Sequence, residues 1–234
     1  MSHPVATASC VAWYRGDSLV DGGGGVASSW DDKSGNAYHL TPNNGPTIVT
    51  SPLNGRLAAQ FAGASSQYFS RTSFTLAQPH SIIVVGIVND DANRPFIRDV
   101  GGIGPLWRIT TGGVQRLTTL GGGAFNGAAV LTGAWHIFES YWDGASTECR
   151  FDNTNDASGD VGTGLFSVDL HVGHTDILNT FMDGQFAEVV IWDKVLDSGE
   201  RAAFLAYYTA YYVVASSDGG ALANYIMQRR RRRH

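Results

Sequence analysis

Glycoside hydrolysis needs two carboxyl groups flanking one bond, and on a strand that means acidic residues two apart. The chain has only four glutamates, Glu139, Glu148, Glu188 and Glu200, and none has that partner in an extended segment. Glu139 is the nearest candidate, but with no acidic residue two positions away it reads as a solvent-facing strand residue. There is no Gly-x-Ser-x-Gly elbow and no phosphate-binding loop. Gly22-x-Gly24-x-x-Ala27 imitates a dinucleotide loop without a βαβ unit around it. The chain is therefore not expected to be an enzyme, and no cofactor is required.

Asp169-x-His171-x-x-His174-x-Asp176 has the atoms of a zinc site. A strand end running into a polar loop gives the same string, and that is the simpler account. Sugar binding needs aromatic platforms beside polar donors. Tyr14, Tyr38, Trp107 and Phe125 lie near loops, although core packing explains each of them singly.

The basic residues are unevenly placed. Arg229, Arg230, Arg231, Arg232 and Arg233 are consecutive, which leaves 11 basic against 21 acidic residues in the remaining chain. A run of this kind is a solvated end or a device for docking onto an acidic partner. Without interleaved aromatics, and on an acidic body, it does not suggest sequence-specific nucleic-acid binding. Cys10 and Cys149 form neither a disulfide framework nor a paired-cysteine metal site, and they read as free buried thiols. Residues 1–8 show no secretory signal, and no segment has the length of a membrane span.

The elements that must position these groups are strands. Twenty-nine glycines and only 16% charged residues suit turn-linked strands better than long helices. Residues 81–88 form a β-branched run with the pattern of a strand covered on both faces. Residues 105–110 and 114–120 predict a hairpin about Gly112-Gly113, and residues 135–142 a strand closed by Asp143-Gly144. Residues 121–127 read as a loose glycine loop, and 152–164 as a polar excursion. One helix follows Trp192, capped by Asp197 or Ser198, with an apolar stripe of Ala202, Leu205, Tyr208 or Thr209, and Tyr212.

Four segments recur in a familiar order. They are Trp30-x-Asp32-x-Ser34-Gly35-Asn36, Gly55-Arg56-x-Ala58-x-x-Phe61, Trp135-His136 with Trp142-Asp143-Gly144, and Phe181-x-Asp183-Gly184-x-x-Ala187-Glu188-Val189-x-Ile191-Trp192. Together they resemble the laminin G-like, concanavalin A-like jelly-roll superfamily in its bacterial and phage form. The resemblance implies an all-β, two-sheet antiparallel jelly-roll sandwich over residues 9–212. Residues 1–8 would be an N-terminal arm, and 213–234 an appendage with the arginine tract. Glycosidases of that superfamily carry a Glu-x-Asp-x-Glu strand, which this chain lacks. Many relatives hold calcium on a rim loop, and Asp31, Asp32 and Asn36 would supply oxygens for it, as would Asp152, Asn155, Asp156 and Asp160. Turn formation accounts for the same residues more simply.

The expectation is a non-catalytic bacteriophage virion accessory protein, a capsid decoration or fibre domain assembled in the host cytoplasm. Its partners would be other virion proteins in an oligomeric or symmetric assembly, with cell-surface glycans as further ligands and no membrane. Arg229 to Arg233 would attach it. The alternative is a soluble carbohydrate-binding module or lectin with calcium as an aid, and a glycoside hydrolase ranks below both.

Overall fold

The computed structural model describes residues 7–100, 104–120, 122–129 and 131–212. The five arginines proposed for attachment, most of the N-terminal arm and the appendage lie outside the described residues. The chain runs β1 (Cys10–Arg15), β2 (Leu19–Asp21), β3 (Ala27–Trp30), β4 (Thr41–Asn43), β5 (Thr47–Thr50), β6 (Leu57–Phe61), β7 (Tyr68–Thr72) and β8 (His80–Val88). It continues through β9 (Arg94–Val100), β10 (Pro105–Ile109), β11 (Gln115–Thr119), β12 (Ala124–Asn126), β13 (Trp135–Trp142), β14 (Thr147–Phe151) and β15 (Thr154–Gly159). Last come β16 (Asp169–Val172), β17 (His174–Thr175), β18 (Thr180–Phe181), β19 (Gly184–Trp192) and the helix α1 (Ser198–Tyr212).

Two antiparallel sheets make the sandwich. Sheet I has the order β15-β14-β13-β8-β19-β6-β5, with β1 also paired to β19, and sheet II the order β12-β11-β10-β9-β16-β7-β4. The flank of β19 is shared: Gly184 to Phe186 pair with β6, and Glu188 to Trp192 with β1. Strand alternation sends Ile82, Val84, Phe138, Trp142, Val189 and Ile191 of sheet I inward, against Phe69, Ile97, Trp107, Leu117, Leu170 and Val172 of sheet II. Phe96 joins the layers, its ring 4.8 Å from Trp107, 4.7 Å from Phe138 and 5.7 Å from Phe186. Backbone approach is close where these layers meet the rim: a Cβ at Gly16 would lie 1.7 Å from the Leu57 carbonyl oxygen.

The continuous β-branched run predicted as a doubly covered strand is β8. Ile83 and Val85 belong to a second cluster on the outer face of sheet I, with Ile137, Tyr141, Val190 and Trp192. Helix α1 closes that face. Its buried stripe is Phe204, Tyr207, Tyr208, Tyr211 and Tyr212, while Ala202 and Thr209 are exposed. The expected stripe was one residue out of phase at Leu205, because aromatic bulk and not the small apolar residues fills the groove. Asp197 accepts from the Glu200 N–H at 2.9 Å and Glu200 returns a bond to the Asp197 N–H at 3.0 Å, a capping box.

Two further expectations are corrected. The glycine loop after residue 120 contains β12, and the polar excursion after Phe151 contains β15, both pairing at sheet margins. Each is an edge strand that turns a single apolar residue to the core, Phe125 in β12 and Ala157 in β15, so the local pattern is mostly polar. Among the described residues no helix is long and apolar enough to cross a membrane.

Candidate functional site

The residues singled out for chemistry are mostly committed to the fold. Asp32 accepts from the N–H groups of Trp13 (2.9 Å), Ser34 (2.8 Å) and Tyr38 (3.0 Å) and from the Ser34 hydroxyl (2.7 Å). The Asn36 amide donates to the Cys10 and Val11 carbonyls at 3.1 and 2.9 Å. The Trp30 to Asn36 segment is thus a clasp that pins its turn to β1. Asp31 accepts from the Ser29 hydroxyl at 2.8 Å. Calcium at Asp31, Asp32 and Asn36 would compete with these bonds. In the second acidic segment, Asp152 accepts from the Ile137 N–H and Asp156 from the Ala128 and Ala129 N–H groups.

All four glutamates have structural partners. Glu148 pairs with Arg150 at 3.2 Å, and Glu200 with Lys194 at 2.6 Å. Glu139 is not solvent-facing as expected. It is 3% exposed, accepting from the Tyr141 hydroxyl at 2.5 Å and the Asn153 N–H at 2.7 Å. Burial raises its pKa, only partly opposed by those bonds.

Glu188 reaches the same outer face of sheet I through a bulge after Phe186 that re-aims the strand. It is fully buried, accepting from Trp13 Nε1 at 2.5 Å and from the Tyr207 hydroxyl at 3.0 and 3.2 Å. Burial pushes its pKa up to about 7 against the pull of these donors. Arg15 lies beside it, paired with Asp17 at 2.6 Å and 4.5 Å from the centre of the Tyr211 ring. Arg56 lies over the same Tyr211 ring, 4.1 Å from its centre, and donates to the Tyr211 carbonyl at 3.3 Å. These contacts latch α1 onto this face.

The outer face of sheet II is different, and no helix packs on it among the described residues. Because Phe69, Leu170, Ile97, Trp107 and Leu117 point inward, their strand neighbours point out. One row crosses the sheet as Thr41, Ser70, His171, Arg98, Leu106 and Thr118, residue opposite residue. A second row holds Arg108, Arg116 and Asn126.

Aromatic rings cluster at one end of this face. Tyr68 lies 4.9 Å from His171 and 4.6 Å from His174, and His174 stacks on Phe181 at 4.6 Å. The two histidines share a hydrogen bond between their Nδ1 atoms at 2.9 Å, so one Nδ1 carries the proton and the other accepts it. Burial, then the neighbouring His174, lowers the His171 pKa to about 4. Burial also lowers that of His174. Both imidazoles are neutral near pH 7, each with one donor and one acceptor. Asp176 pairs with Arg98 at 3.3 Å instead of joining the histidines. Among the described residues no group of three or more His, Cys, Asp or Glu is placed to hold a metal ion.

Tyr14 and Trp107 are fully buried, and Tyr38 and Phe125 pack against the core, so none is a free platform. The arginines of this face, Arg98, Arg108 and Arg116, were not anticipated. For the last two the signal was present, since the hairpin about Gly112-Gly113 sets them opposite each other. Cys10 and Cys149 are unpaired thiols, each pushed up to about 12 by burial.

No family model matches the chain, and no curated protein matches it. Solved structures do. Trypanosoma rangeli sialidase in complex with sialic acid superposes with a TM-score of 0.63 at 10% identity, over 91% of this chain and 35% of that one. This chain therefore spans about a third of the sialidase. The binding domain of Paraclostridial Mosquitocidal Protein 1 gives 0.60 at 11% identity, covering 88% of this chain and 53% of that one. Domain 4 of AbnA, a GH43 extracellular arabinanase from Geobacillus stearothermophilus, in complex with arabinotriose, gives 0.63 at 14% identity, covering 85% and 98%. At such identities the likeness is one of fold: the chain is an all-β, two-sheet sandwich with a C-terminal helix, similar in architecture to these domains.

Proposed function

We propose that this chain is a non-catalytic carbohydrate-binding domain whose ligand lies across the outer face of sheet II. The observation that carries this reading is the asymmetry of the sandwich. One outer face is sealed by α1, while the other has no described helix over it and carries exposed Thr41, half-buried Tyr68, Ser70 and His174 at one end and half-buried Arg108 and Arg116 at the other, with His171, Arg98 and Leu106 buried between them. A ring beside fixed donors and acceptors suits a sugar, which offers an apolar C–H face and a rim of hydroxyls. The structural use of all four glutamates supports a binding role over hydrolysis. The arabinotriose complex of AbnA domain 4, matched over nearly its whole length, lends support by analogy.

A glycan array tests it, followed by titration of the best glycan against the chain and a Tyr68→Ala variant, with and without a chelator. The expected result is specific binding, weakened at least tenfold in the variant. A calcium contribution through Asp31, Asp32 and Asn36 predicts loss in chelator. Binding to no glycan contradicts the proposal. We further propose a bacteriophage virion as the setting, with the run Arg229 to Arg233 as the attachment, because five adjacent guanidinium groups suit an acidic partner. Mass spectrometry of purified particles would find the chain, and its absence from them would refute that setting.

A further inference from the structure

Strands β10 and β11 set Arg108 directly opposite Arg116, and the inward placement of Trp107, Ile109 and Leu117 turns both arginines outward. Like charges directly opposite across an antiparallel pair destabilise it. A protein usually relieves such a pair with a carboxylate, and this body has acid to spare. Here the relief is absent: among the described residues the arginines in ion pairs are Arg15, Arg94, Arg98 and Arg150.

What the two guanidiniums meet instead is neutral. Arg108 Nη1 donates to the Asn93 side-chain oxygen, and Arg116 Nη1 to that of Asn126 at 3.1 Å. Arg108 Nε is buried without a hydrogen-bond partner. Burial and then the charge of Arg116 lower the Arg108 pKa, so the pair is electrostatically uncompensated. Asp90 is held by Arg94 and Asp156 by the N–H groups of Ala128 and Ala129, and among the described residues no carboxylate forms an ion pair with either guanidinium. Arg98 on the next row shows the contrast, being paired with Asp176.

We infer that Arg108 and Arg116 form an anion subsite on this face, taking the carboxylate or sulfate group of an acidic glycan. The inference rests on the carbohydrate-binding reading and narrows its ligand. Planar guanidiniums offer paired N–H donors matched to a carboxylate or sulfate, and a shared anion would remove their mutual repulsion. In the order β11-β10-β9-β16, Arg108 sits two strands and Arg116 three strands from His171, with buried Arg98 and Leu106 between the subsite and the ring cluster.

The test is titration calorimetry with three trisaccharide-scale probes: trigalacturonate for the carboxylate, a sulfated galactose oligomer for the sulfate, and neutral galactotriose. All proteins carry Arg229 to Arg233 replaced by serine, so that the tail contributes no attraction. The expected result is at least tenfold tighter binding of one charged probe than of galactotriose. Arg108→Gln/Arg116→Gln should abolish that preference, bringing the charged probes to the affinity of galactotriose, and flatten the salt dependence. Which charged probe is preferred identifies the group. Preference for the neutral probe, or a charged-probe preference that survives the double variant, overturns the inference while leaving the carbohydrate reading standing. No binding of any probe, together with a blank glycan array, overturns both.

Discussion

The two outer faces of the sandwich are built from the same strand alternation and end in opposite states. On sheet I the outward positions are Ile83, Val85, Ile137, Tyr141, Val190 and Trp192, and α1 buries them beneath four tyrosines and Phe204. On sheet II the outward positions are mostly hydroxyls, imidazoles and guanidiniums, with Leu106 and Arg98 buried among them, and no described helix covers the face. An antiparallel sheet can leave one face in water only if that face is polar. Which face α1 covers therefore follows from which strands are apolar on both sides. Both faces bury a charged residue through its partners, Glu188 beneath α1 and Arg98 beside Asp176.

The largest expected effect breaks the closed face. Phe204→Ala should cost about 3–5 kcal/mol, as truncation of a buried aromatic does. Tyr68→Ala, on the open face, should cost far less, because Tyr68 is only half-buried. Urea unfolding of both variants measures the contrast, and equal losses would erase it.

Titration sharpens the same comparison, because the faces respond to pH in opposite senses. Glu188 has a folded pKa of about 7, above its ordinary value of 4.5, so it binds its proton more tightly when folded. Its stabilising contribution is full below the ordinary value and is lost as pH rises through about 7, by about 3 kcal/mol. The stability of Glu188→Gln relative to the parent should accordingly rise by that amount between pH 4 and pH 8. His171, lowered from 6.5 to about 4, acts the other way: its contribution is present above 6.5 and lost as pH falls through about 4. Denaturant midpoints across pH for Glu188→Gln and His171→Gln check both signs. A flat difference for either removes that group from the account.

The smallest effect lies in the arginine pair. Arg108→Gln/Arg116→Gln should leave stability unchanged or raise it by about 0.2–1 kcal/mol, since it removes a directly opposed like-charge pair. A clear loss of stability would mean that the pair supports the fold.

Much of the architecture was legible because burial writes itself into periodicity. β8 announced itself as a β-branched run, and the β10–β11 hairpin by its paired glycines. β9 was missed because it begins Arg94-Pro95 and carries Arg98 and Asp99, both buried through partners that local pattern does not reveal. Arg98 bonds Asp176 and the Gly104 carbonyl, and Asp99 the N–H groups of Ser167 and Val168. The ordered motifs were informative about fold for a physical reason. Asp32 clasps β1, Arg56 holds the end of α1, Asp183 accepts from Asn89, and Glu188 anchors Tyr207. The proposed binding face has no such motif, since its residues come from seven strands and meet only through sheet order.

The central claim is that ligand lies across sheet II, and amide chemical-shift mapping with trigalacturonate and galactotriose tests it most directly. The account predicts shifts concentrated in β7, β16, β9, β10 and β11, spreading outward from Tyr68, His171, Arg108 and Arg116. Shifts confined to the rim segments about residues 22–25 and 31–39, or to α1, would contradict it.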